Sequence, residues 1–148
     1  MVSSKIFAAA ALASIASAID HQVKVGSGGN VYSPSTIPGV AVGDTVSFQF
    51  QGTVHNVVQS SFSSPCTPMD NGFSVPFQSS SDTFTVNVTT TDAIWFYCSY
   101  QNHCNLGMVG VINPGTGQTQ GAFASAAKGA TVSQPKSNSA VGGVLGSG

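Results

Sequence analysis

Between Val23 and Asn113 apolar and polar residues alternate in short runs. Val23 and Val25 flank one polar residue, and Val46, Phe48 and Phe50 take every second place of the next run. Phe84, Val86 and Val88 repeat the pattern. Neighbouring side chains on a strand face opposite sides, so a period of two built from β-branched and aromatic residues marks strands with one buried face. Ala93 to Tyr97 and Met108 to Ile112 are predicted as further strands. Pro34, Gly43-Asp44 and Asn71-Gly72 read as turns between them. No part of this region carries a helical period. The count and spacing predict an all-β domain, an antiparallel sandwich or barrel, whose modest core would benefit from a disulfide.

The two ends read differently. Met1 to Lys5 carries one positive charge, Ile6 to Ala16 is an alanine-rich apolar run, and Ala16-Ser17-Ala18 supplies small residues for cleavage. This is the pattern of a secretory leader over residues 1–18, cut after Ala18. The apolar run is shorter than the roughly 20 residues that a membrane span requires. The folded domain, which carries the candidate chemistry below, is expected over 19–114. From Gly115 to Gly148 the chain is mostly Gly, Ala, Ser, Thr, Gln and Val, with Phe123 as its one aromatic residue. Such a segment is expected as a disordered tail or cell-wall stalk, because it offers little apolar surface against its ordering entropy. Its last residues, Ala140 to Gly148, are too short and glycine-rich for the hydrophobic end of a lipid-anchor signal.

Charge narrows the partners. Without the leader, three lysines (Lys24, Lys128 and Lys136) stand against five aspartates, a formal charge of −2, and the chain has no arginine and no glutamate. A nucleic-acid partner would require a basic footprint, which is missing.

The chemistry concentrates in Trp95 to Met108. Cys98 is followed by His103 five residues later and Met108 five after that. A thiolate, an imidazole and a thioether on one loop form a soft donor set that selects copper; calcium or magnesium would call for carboxylates, and structural zinc gains nothing from a thioether. A trigonal site of two histidines and one cysteine takes a second imidazole from elsewhere. His55, in the β-like run Thr53 to Val58, meets that need. Taken singly, His55 reads as a core or surface histidine, Met108 as core filler and His103 as a loop residue; their joint spacing points to metal. Alternation places Phe96 and Cys98 together on the inward face of a strand. The cysteines number three, Cys66, Cys98 and Cys104, so the chain holds a free thiol or an intermolecular bond. Pairing Cys66 with Cys104 would leave Cys98 as the thiolate.

Trp95-Phe96-Tyr97-Cys98 followed by Asn102-His103-Cys104-Asn105-Leu106-Gly107-Met108 closely resembles the cupredoxins, in particular the phytocyanin-like branch and fungal extracellular proteins that join such a domain to a serine-rich tail. Weaker likeness covers Gly43 to Phe48, His55 to Val57 and Val109 to Asn113, and none of the tail. The resemblance implies a Greek-key β-sandwich with one type 1 copper near one end. It implies His55 and His103 as nitrogen ligands, Cys98 as the thiolate, Met108 as the weak axial ligand and a disulfide between Cys66 and Cys104. Some phytocyanins carry glutamine at the axial place, so Met108 implies a higher reduction potential than theirs.

The expected function is one-electron transfer outside the cell, with His103 as the electron port beside Leu106 and Met108 and with a redox partner that the sequence does not name. Copper binding or delivery without redox turnover uses the same four residues, and a cell-wall protein with incidental copper is the remaining alternative. No second histidine cluster and no Ser/His/Asp arrangement stands out, so an enzyme is not expected. A monomer is. Asn87-Val88-Thr89 is the one N-glycosylation sequon. His21 reads as a solvated histidine rather than part of a copper-binding amino terminus, and Asp44 as a turn residue.

Overall fold

The computed structural model describes residues 17–147. Residues 1–16 of the expected leader lie outside the described residues. Ten strands form two sheets: β1 Asp20–Val25, β2 Tyr32–Ser33, β3 Thr36–Ile37, β4 Thr45–Phe50, β5 His55–Ser60, β6 Ser74–Gln78, β7 Thr83–Asn87, β8 Ile94–Tyr97, β9 Val109–Ile112 and β10 Val144–Gly146. Among the described residues one helix, α1, spans Gln120–Ala127. The first sheet runs β10-β7-β4-β1-β2 and the second β3-β9-β8-β5-β6. Most neighbours are antiparallel, with β1–β4 and β3–β9 parallel. The all-β sandwich expected from the alternating pattern is the observed fold.

The inner faces explain the alternation. Val23, Val25, Val46, Phe48, Phe50, Phe84 and Val86 from the first sheet meet Val57, Val75, Phe96 and Ile112 from the second in one buried core. Aromatic rings dominate its centre: Phe48 packs edge-on to Phe96, with centroids 5.1 Å apart, and Tyr32 edge-on to Phe96 at 4.8 Å. Gly110 is paired across the ladder with Phe96, and a Cβ at that position would overlap the Phe96 ring. The glycine therefore lets the ring lie over the neighbouring strand. Asp44 does more than make a turn. Its carboxylate accepts the Ile19 N–H (3.0 Å) and the Ala41 N–H (3.0 Å) and pairs with His21 Nε2 (2.9 Å), so it ties the start of β1 to the turn before β4.

The C-terminal segment corrects one expectation. Residues 115–147 are packed on the sandwich rather than being a disordered tail. Trp95, Tyr97, Val109 and Val111 point away from the main core and would leave an apolar outer face on the second sheet. Phe123 and Ala127 of α1 cover it, with Phe62 and Val132 alongside. The Phe123 ring lies 4.8 Å from that of Trp95 and is fully buried; burial of such a side chain contributes roughly 1.5–3 kcal/mol. Thr119 caps the helix by accepting the Ala122 N–H. Further on, β10 pairs with β7 and covers that strand's open edge. The segment's low complexity hides this because the apolar surface that holds it belongs mainly to the sheet. Among the described residues no helix is long and apolar enough to cross a membrane.

Candidate metal centre

One end of the second sheet gathers the candidate donors. His55 opens β5, where the pairing with β6 shifts register between His55 and Val57. A bulge of this kind re-aims side chains, and the His55 ring turns into the protein, 2 % exposed. Gly26 makes room for it. A Cβ at Gly26 would lie 2.5 Å from His55 Cδ2, 2.6 Å from its Nε2 and 2.6 Å from Thr53 Oγ1, and the backbone there has φ +82°. Only glycine adopts that conformation without strain and leaves the ring its space.

Cys98 follows β8 and is fully buried, on the same inward side as Phe96. Its N–H donates to the Met108 carbonyl at 3.1 Å, which closes the loop at its base. Inside, the His103 N–H donates to the Tyr100 carbonyl (3.1 Å), and the His103 carbonyl accepts the Met108 N–H (3.0 Å). Main-chain bonds thus tie the cysteine, histidine and methionine positions to one another. A disulfide joins Cys104 to Cys66 with Cα atoms 5.9 Å apart, and anchors the loop beside His103 to the segment after β5. Cys98 is the free cysteine.

Three donor atoms converge. His55 Nδ1 lies 3.2 Å from His103 Nδ1, and Cys98 Sγ lies 3.9 Å and 3.6 Å from them respectively. All three residues are buried. These sides suit an ion bonded at about 2.0–2.3 Å to each nitrogen and sulfur. Met108 is buried in the same core cluster as Cys98. Two imidazoles, a thiolate and a thioether in apolar surroundings fit copper better than a hard cation.

Burial sets the electrostatics. It pushes the Cys98 thiol upward, and N–H donors from Asn56 and Tyr100 partly oppose it by favouring the thiolate. Burial lowers both histidines, and the charge of His103 lowers His55 further. Neutral rings offer free lone pairs, as metal ligation requires. Around them runs a polar network that sequence reasoning missed. Asn56 Nδ2 donates to Ser99 Oγ (2.8 Å) while the Ser99 N–H donates to Asn56 Oδ1 (2.7 Å), and the Tyr32 hydroxyl donates to the Asn56 carbonyl (2.7 Å). Asn56 adjoins His55 and Ser99 adjoins Cys98; that adjacency was the available signal.

The other singled-out residues lie apart. His21 pairs with Asp44 on the first sheet. Asn87 is exposed at the end of β7. Leu106 is 65 % exposed beside His103, whereas Met108 points inward rather than joining Leu106 at the surface.

The family model for a plastocyanin-like domain matches residues 36–108, a span that includes all four candidate donors. A probable GPI-anchored cupredoxin-1 from Arthroderma benhamiae is 40 % identical over 132 residues, covering 88 % of this chain and 70 % of that protein. An extracellular serine-rich protein from the same fungus is 37 % identical over 137 residues, 86 % of this chain and 53 % of that protein, so the chain spans about half of that relative's length. A purple cupredoxin from Nitrosopumilus maritimus shares the fold, with a TM-score of 0.52 at 21 % identity over 63 % of this chain and 97 % of that one.

Proposed function

The chain belongs to the cupredoxin family, and on that premise we propose that it is an extracellular type 1 copper protein that transfers single electrons. The observation that carries this reading is the convergence of His55 Nδ1, Cys98 Sγ and His103 Nδ1 in a buried site, all within 4.8 Å of one another.

A bound copper ion supplies a one-electron couple between Cu(II) and Cu(I). The residues supply the rest. His55, Cys98 and His103 would hold the ion through two imidazoles and a thiolate, with the Met108 thioether as a further, weaker donor. The strand, the disulfide and the loop's main-chain bonds fix these donors, so they need not move when the charge of the site changes by one. Burial excludes water and protects the Cys98 sulfur from oxidation. The burial of all three converging donors leaves a substrate little access to them, which favours a carrier over an enzyme. His103 is 8 % exposed, next to Leu106, and is assigned as the electron port. The depth of the other donors favours retention over delivery of the metal.

We place the protein outside the cell, at its surface or wall. The expected leader, the disulfide and the extracellular or anchored character named for the two fungal relatives support that placement. The test is the visible spectrum of the chain after addition of Cu(II), beside Cys98→Ala. An intense blue thiolate-to-copper band, absent in the variant, and reversible electron exchange with a small redox reagent are expected; a colourless wild-type protein would overturn the reading.

A further inference from the structure

We propose that Gln134, carried by the segment after the sandwich, is a positioning residue that clamps the metal loop through Ser99. The proposal rests on the type 1 copper reading above for its effect on the metal, and on the structure alone for the clamp.

Ser99 directly follows Cys98 and is fully buried. Its side chain and both main-chain polar groups are engaged. The Ser99 N–H and hydroxyl meet Asn56, the neighbour of His55. On the other side, Gln134 Nε2 donates to the Ser99 carbonyl at 2.6 Å, and the Ser99 hydroxyl donates to Gln134 Oε1 at 2.8 Å. One primary amide therefore satisfies a carbonyl and a hydroxyl of the same residue. Gln134 itself is exposed, so its amide lies between Ser99 and solvent. Its position is determined by its neighbour: the Tyr97 hydroxyl donates to the Ser133 carbonyl (2.7 Å), and the Ser133 N–H donates to the carbonyl of disulfide-bonded Cys66 (2.9 Å). Both main-chain polar groups of the residue just before Gln134 are thus pinned.

The consequence is a continuous chain, Gln134–Ser99–Asn56, that couples the cysteine end of the loop to the histidine on β5. Without the Gln134 amide, the buried Ser99 carbonyl and hydroxyl would draw water to the loop. The thiolate donor would then lose a restraint that neither sheet provides.

The test uses the full chain with Gln134→Met, which keeps side-chain length and removes the amide, together with Ser99→Ala and the double variant. Ser137→Ala, elsewhere in the same segment, is the control. In the metal-free protein, Gln134→Met is expected to speed hydrogen exchange at the Ser99 amide on the order of tenfold, with exchange in β4 and β7 unchanged. In the copper-loaded protein, it is expected to speed metal loss to a chelator to a similar degree and to alter the blue band. The double variant is expected to lose copper no faster than the faster single variant, because both changes break one chain. Wild-type exchange at Ser99 in Gln134→Met, or additive effects in the double variant, would overturn the clamp. If wild-type protein showed no blue band, the copper reading would fail while the exchange measurement still decided the clamp.

Discussion

Nδ1 of His55 lies 3.2 Å from Nδ1 of His103, although 48 residues separate them. Two bare imidazole nitrogens at that distance gain nothing from each other. One must donate a proton to the other, or both must serve a cation between them. The second arrangement also uses Cys98 Sγ, which no hydrogen bond between the rings would do.

Copper should therefore stabilise the fold markedly. A metal that binds only the folded chain adds about 4 kcal/mol at a thousandfold excess over its Kd. Thermal melts with and without Cu(II), and after chelation, check this; His55→Ala is expected to abolish the gain while leaving a folded chain.

Gly26 is the support behind His55. Gly26→Ala places a methyl 2.5 Å from the ring in a left-handed backbone conformation. A loss of about 1–3 kcal/mol is expected, with copper affinity falling further than stability because the ring must shift. Denaturant titration of the metal-free chain and competition for copper separate the two effects.

Phe123→Ala tests the packing of the C-terminal segment. Removing a buried ring from the face of Trp95 is expected to cost about 3–5 kcal/mol. Trp95 is the one tryptophan, so its fluorescence should move to longer wavelength as the segment loosens. An unchanged spectrum and stability would show that the helix does not cover the sheet in solution.

Asp44 predicts an acid limit. The Ile19 N–H, then the His21 side chain and the Ala41 N–H, hold its carboxyl at about 2, against an ordinary 3.8. A carboxyl depressed on folding stabilises the protein above its unfolded value and loses that contribution as pH falls towards the folded one. Asp44→Asn is therefore expected to be less stable than wild type above about pH 4, with the two converging near pH 2. Melts across that range provide the measurement.

Most of this architecture is readable from local pattern. Val46 to Phe50 and Phe84 to Val88 alternate because each strand has one face in the core. The donors Cys98, His103 and Met108 are legible because one loop carries all three, and His55 because the set lacks an imidazole. β6 is harder to see: Pro76 interrupts its pattern, and the strand is tolerated at the sheet edge, where an N–H is dispensable. The C-terminal packing was signalled elsewhere in the chain. Ile94 to Tyr97 and Val109 to Ile112 are unbroken apolar runs rather than alternating ones, and such runs belong to strands covered on both faces. Gln134 left no trace, since its partner lies 35 residues away and nothing local distinguishes it from other glutamines.

The second sheet also sorts the thiols. Cys98 lies on its inner side with Met108, while Cys66 and Cys104 lie in the cluster on its outer side. A sheet one residue thick thus separates two oxidation fates in a chain made for an oxidising compartment. On the outer side, two sulfurs are spent as a permanent cross-link. On the inner side, the third is buried and unpaired, with the sheet between it and the other two sulfurs.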